Sequence, residues 1–243
     1  MNISQTTELD KKKANERFIV EKFISNANLK LKVFSIVDNE TPDFIIKTIE
    51  KDISIELTQL INPKLKAQET LNNQIVDGAK ELFTSKYKEK LGVLVTFASE
   101  GITCKKIEIP EYSEKLFRIV ENIYINNRNF KFEVSSRQSF KLNEFLKHIN
   151  VDNKFNNPYW QTIGAYLVDY LDFNILEKII KSKEKNLIKY GDSYKENWLL
   201  ITSNFGTKSS AKRFDFINQF DLKTTFDKIY IYKFFENKII EYK

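Results

Sequence analysis

Two carboxylates stand a short hairpin apart in the segment PDFIIKTIEKDISIELTQL. Asp43 follows Pro42 at the entry to one β-rich run, Phe44 to Ile49, and Glu56 lies inside a second, Ile53 to Leu60, as Glu56-Leu57-Thr58. Polar Glu50, Lys51 and Asp52 separate the runs, which reads as a hairpin. Side chains alternate faces along a strand, so Ile53, Ile55 and Leu57 share one face while Ser54, Glu56 and Thr58 share the other. A register that sets Asp43 opposite Glu56 brings two hard oxygen ligands together over a sheet, the donor type that Mg²⁺ takes. The competing reading is structural: a turn-initiating Asp after Pro and a solvent-facing strand Glu.

The residue inventory narrows the chemistry. One Cys (Cys104) and one His (His148) exclude a Cys/His zinc site and any His-based general base other than His148. Reactions here must run on carboxylates, lysines, hydroxyls and amides. His148 reads as a surface or capping residue. A single Cys cannot form an intramolecular disulfide, no signal-peptide pattern is visible, and no apolar run approaches the ~20 residues of a membrane span. The expected location is cytoplasmic, with no membrane contact. The 243 residues are 42% hydrophobic and 14% aromatic, enough for a substantial core. Thirty-nine Lys plus Arg against 33 Asp plus Glu give a net charge of +6, which favours a polyanionic partner, although a basic surface also serves solubility.

The elements that must position the carboxylates follow from periodicity. Residues 10 to 27 have helical spacing, with Ile19, Val20, Phe23, Ile24 and Ala27 on one side and Glu16 near the middle of that side. LKVFSIVD, 31 to 38, reads as a strand ahead of the hairpin. Residues 64 to 89 form a long helix whose apolar stripe Gln74 borders, with Gln68 a weaker alternative, and GVLVTFAS after it has the continuous apolar character of a doubly covered strand. The long helix then crosses over within one mixed α/β sheet. Beyond Ser99 the pattern loosens. A helix from about Ser113 and another at Leu142 to Ile149, among Asn-rich loops, make 100–170 a largely helical insertion or lobe. A helix at 173–190, the strand WLLITS at 198–203 and a closing strand pair around Glu236-Asn237 return to the core. The expected domains are 1–99 and 171–243 for the core and 100–170 for the insertion.

Helix, three strands, helix and strand, with Pro42-Asp43 at the second strand and Glu56-Leu57-Thr58 in the third, resembles the PD-(D/E)xK nuclease superfamily, whose fold is restriction-endonuclease-like. The likeness covers about residues 10–99, and the bare motif gains weight from its strand and helix context. It implies that Asp43, Glu56 and the Leu57 backbone carbonyl bind Mg²⁺ (or Mn²⁺), that Glu16 is the first-helix carboxylate, and that a helix-borne glutamine such as Gln74 supports the site. The departure is Thr58, which stands where the family has lysine. On the helix 173–190, Leu176, Ile179, Ile180, Leu187 and Tyr190 share a face, and Lys183 falls near its centre rather than among Lys178, Lys181, Lys185 and Lys189. A lysine there must snorkel out or meet a carboxylate. Since members of the superfamily move the lysine to other elements, Lys183 is the candidate replacement.

The resemblance thus implies a metal-dependent endonuclease acting on DNA, in restriction, repair or phage defence, and allows a homodimer. The alternative is a catalytically inactive protein of the same fold that binds nucleic acid or a protein partner, with Thr58 recording lost chemistry. A metal-free RNase is disfavoured because His148 alone cannot supply an acid and a base. Tyr112, Tyr124, Tyr159 and Trp160 could stack on bases, yet aromatic side chains in such a chain usually pack in the core.

Overall fold

A computed structural model of the chain describes residues 8–27, 29, 31–98, 106–137, 145–155, 158–203, 206–217 and 221–243. Cys104 and the Leu142 start of the expected helix lie outside them. The fold is α/β, with mixed sheets and, among the described residues, four α-helices, divided into two compact units: Met1–Asn62 with Val168–Lys243, and Pro63–Leu167.

The first unit holds α1 (Glu8–Asn26), β1 (Val33–Asp38), β2 (Phe44–Thr48), β3 (Asp52–Gln59), α4 (Phe173–Leu187), β8 (Glu196–Ser203), β9 (Lys228–Lys233) and β10 (Lys238–Glu241). Its six-stranded sheet has the order β1-β2-β3-β8-β9-β10. The β1–β2–β3 meander is antiparallel, β3, β8 and β9 run parallel, and β10 folds back on β9. The β2–β3 turn closes because the Thr48 hydroxyl both donates to the Lys51 carbonyl and accepts from the Lys51 N–H, a turn-stabilising use of a short hydroxyl side chain. Alternation then sorts the strands. Ile53, Ile55, Trp198, Leu200, Tyr230 and Tyr232 pack with Val20 and Phe23 of α1. Leu199, Ile201, Ile229 and Ile231 pack with Leu176, Ile180 and Leu187 of α4. A sheet covered on both faces needs strands apolar on both, which is why β8 is buried along WLLITS.

The second unit comprises α2 (Pro63–Lys86), β4 (Gly92–Phe97), α3 (Ile109–Asn127), β5 (Glu133–Arg137), β6 (Leu146–Asp152) and β7 (Tyr159–Thr162). Its four strands have the order β5-β6-β4-β7. Ile75, Ala79 and Phe83 of α2, Leu116 and Val120 of α3 and Val93 and Val95 of β4 share one core. Gly92 is required there: a Cβ would lie 2.3 Å from the Tyr159 ring and 2.6 Å from an Asp152 carboxylate oxygen.

Three expectations change. The core breaks at Asn62 rather than at 99, because α2 leads into β4 of a second sheet and the parallel neighbour of β3 is β8. The 100–170 stretch is not largely helical, since β5, β6 and β7 fall within it. The described part of Leu142 to Ile149 is strand: Phe145 and Leu146 precede Ile149 and Val151, whose alternation buries them against β4. His148 is accordingly a strand residue of β6 paired with Thr96, not a helix cap.

Candidate active site

Register places the two carboxylates as their strand phase requires. Phe44 pairs with Ile55 in the antiparallel β2–β3 ladder, so the next residue outward, Asp43, faces Glu56. Asp43 Oδ2 accepts the Leu57 N–H at 2.8 Å. In a strand the N–H and C=O of one residue point to the same side, so the Leu57 carbonyl is directed to the edge where Asp43 stands. Glu56 and Ser54 lie on the α4 side of β3, and both are buried, Glu56 to 1% exposure.

A carboxylate so buried must be compensated, and α4 supplies the compensation. Asp172 caps the helix by accepting the Asn174 N–H at 2.6 Å, and the stripe Leu176, Ile180, Leu187 then seats it on the sheet. Lys183 sits within that stripe. Its Nζ donates to Glu56 Oε2 at 2.8 Å and to Asp43 Oδ2 at 3.3 Å. Asn186 Nδ2 donates to the same Glu56 Oε2 at 3.1 Å, and the Tyr190 hydroxyl donates to Oε1 at 3.0 Å. Lys183 and Asp43 side chains keep 22% and 26% exposure, so the cluster is closed around Glu56 and reachable at its Asp43 end.

The electrostatics follow. Burial alone would pull the Lys183 ammonium down, but the Glu56 hydrogen bond and the Asp43 and Glu56 charges outweigh it and hold its pKa above the ordinary lysine value. Burial, followed by the charge of Glu56, drives the Tyr190 phenol far up, so it remains a hydrogen-bond donor.

Asp43 also lines a cleft of about 500 Å³ with Lys12, Lys13, Glu16, Asp38 and Glu40. Glu16 therefore faces the Asp43 side, paired with Lys12 at 3.7 Å. Lys13 ties α1 to the β1–β2 turn by donating to the Asn39 and Asp43 carbonyls at 2.8 and 3.0 Å. Thr58 shares the face of Glu56 two residues on, and its carbonyl accepts from Thr202 Oγ1 at 3.3 Å. Gln74 belongs to the other unit, exposed on α2, where Gln68 bonds Asn72 at 2.9 Å. Tyr124 and Trp160 are core residues of that unit, Tyr112 packs against it, and Tyr159 donates to Asp152. Asn186, Tyr190 and Lys13 are site residues that pattern reading missed. Asn186 carries a usable signal, three positions after Lys183 on the same helix, while Tyr190 stands in the turn that follows α4.

Asp43, Glu56 and the Leu57 carbonyl are hard oxygen donors at one end of a register pair. Among the described residues, no group of three or more His, Cys, Asp or Glu is arranged around a metal position. Such a sparse set suits Mg²⁺, which keeps several waters and is held by one or two carboxylates plus substrate phosphates, and does not suit a closed zinc centre. No described helix is long and apolar enough to cross a membrane. No protein-family model, curated protein or solved structure matches the chain.

Proposed function

We propose that the chain is a Mg²⁺-dependent nuclease that hydrolyses phosphodiester bonds of DNA on a restriction-endonuclease-like core. The order supports this once residues 63–167 are set aside, because α1, the β1–β2–β3 meander, α4 and β8 then follow one another as helix, three strands, helix and strand. The observation that carries the reading is the meeting of Lys183 with Asp43 and Glu56 across 140 and 127 residues of chain. An acid pair and a lysine so assembled, with one member almost fully buried, is costly as mere scaffolding and suited to a charged reaction.

Asp43, Glu56 and the Leu57 carbonyl would hold the ion, which when bound supplies a Lewis acid and a water of lowered pKa. Lys183 stands in for the lysine absent at Thr58 and offsets the charge that develops on phosphoryl oxygens. Asn186 and Tyr190 fix the Glu56 carboxylate so that its oxygens need not reorganise during the reaction. The net charge of +6 favours a polyanionic partner for the chain as a whole.

Incubation of supercoiled and linear DNA with the purified chain in Mg²⁺ tests the proposal. Cleavage is expected, abolished by chelation and by Asp43→Asn or Glu56→Gln, both near-isosteric. DNA binding without cleavage in Mg²⁺ or Mn²⁺ would instead establish the inactive, binding-only alternative.

A further inference from the structure

We infer that Lys183 is the resident counter-cation of this site and that a divalent ion reaches Glu56 and Asp43 only by displacing it, so that ion and polyanion bind cooperatively. The inference rests on reading the pair as a metal site and concerns how that site is gated.

Three of the four oxygens of the pair are already engaged, and these include the two that face each other. Glu56 Oε2 accepts from both Lys183 and Asn186, and Glu56 Oε1 accepts from Tyr190. Asp43 Oδ2 accepts from the Leu57 N–H and from Lys183. One ammonium thus bridges the facing oxygens of two strands at 2.8 and 3.3 Å. An ion coordinating those oxygens at about 2.1 Å would enter the space that Nζ fills, and it would meet a positive charge at close range. Lys183 is the movable member. Asn186 and Tyr190 donate from shorter or stiffer side chains, whereas the lysine has a flexible four-carbon stem and is 22% exposed.

Two consequences follow. Without substrate one of the two negative charges is offset from within, and the affinity of the pair for a divalent ion is lowered. A phosphate that reaches the exposed side of Lys183 offers it another anion, and the released oxygens become available to the ion. Because coupling between two binding events is reciprocal, polyanion raises metal affinity by the factor by which metal raises polyanion affinity.

The test is calorimetric titration of the whole chain with Mn²⁺ alone, so cleavage plays no part in the readout. Asp43→Asn serves as the control that assigns the heat to this site. Lys183→Met, which keeps the stem and removes the charge, should bind Mn²⁺ about 10-fold or more tightly than wild type, within the usual range of coupling effects. Lys183→Gln, which retains a donor for Glu56, covers the case in which the methionine variant does not fold, and should show a smaller gain of the same sign. Equal or weaker Mn²⁺ affinity in the lysine variants, beside an Asp43-dependent wild-type site, overturns the displacement and leaves the nuclease reading intact. No Asp43-dependent Mn²⁺ binding in any variant overturns both.

Discussion

Tyr190→Phe isolates one hydrogen bond of the cluster and gives it a magnitude. The hydroxyl donates at 3.0 Å to Glu56 Oε1, and both residues are buried, at 7% and 1% exposure. A hydrogen bond to a charged group contributes about 1.5–3 kcal/mol, and here the loss also strips a carboxylate oxygen of a donor in a region closed to water. Phenylalanine keeps the ring that packs in the α4-side core, so no cavity offsets or enlarges the effect. We expect a loss of about 2 kcal/mol in the first unit. The chain has two tryptophans, Trp198 in the core of that unit and Trp160 in the core of the other. In a Trp160→Phe background, urea unfolding followed by fluorescence therefore reports the first unit. With a urea slope of roughly 2 kcal/mol per molar, the midpoint should fall by about 1 M with the slope unchanged. Adding Glu56→Gln should make the Tyr190 effect small, since the charged acceptor is gone. A midpoint unchanged by Tyr190→Phe would refute the view that Glu56 depends on donors from α4 and the turn after it.

In the second unit, the Asp152 hydrogen bond, followed by burial, raises the Tyr159 phenol from 10.0 to about 12. A pKa raised by folding gives stabilisation that is complete below pH 10 and lost as pH rises through about 12, so wild type should lose stability across that window and Tyr159→Phe should lose less, read from Trp160 in a Trp198→Phe background. Gly92→Ala should destabilise the same unit by about 1–3 kcal/mol in the same assay, because its Cβ meets the Tyr159 ring. With a net charge of +6, log affinity for a short duplex should fall linearly with log salt, by about 10-fold or more between 50 and 200 mM, in a fluorescence-anisotropy titration; a flat response would remove phosphate contacts from the account.

Much of the site could be read from local pattern because its geometry is local in two places. The period-2 alternation of Ile53 to Thr58 and a short turn leave little freedom in register, so Asp43 facing Glu56 follows from strand phase. Likewise Lys183 interrupts an apolar stripe at helical spacing, and a lysine between Ile180 and Leu187 must snorkel out or meet a carboxylate. What pattern could not supply was the partner of each strand. The apolar run of β4 satisfies a covered strand in either sheet, and β3 takes its parallel neighbour β8 from across the whole 63–167 unit. That choice depends on non-local packing, so periodicity alone gives the crossover to α2, where the fold gives it to α4. The stretch around Phe145 to Ile149 carries both helical and alternating spacing, and pairing of β6 with β4 and β5 decides for strand. Asn186 escaped notice because a polar residue on a helix flank looks solvated until the carboxylate beneath it is placed.

The central claim is that Asp43, Glu56 and Lys183 form one hydrolytic unit. Its most direct measurement is single-turnover cleavage of a labelled DNA duplex in saturating Mg²⁺ by wild type, Asp43→Asn, Lys183→Met and the double variant. Groups that act together lose their effect together, so each single change should lower the rate by on the order of 10² or more, and the double variant should be little worse than Asp43→Asn alone. Wild-type rates in either single variant, or losses that simply multiply in the double, would contradict a shared site.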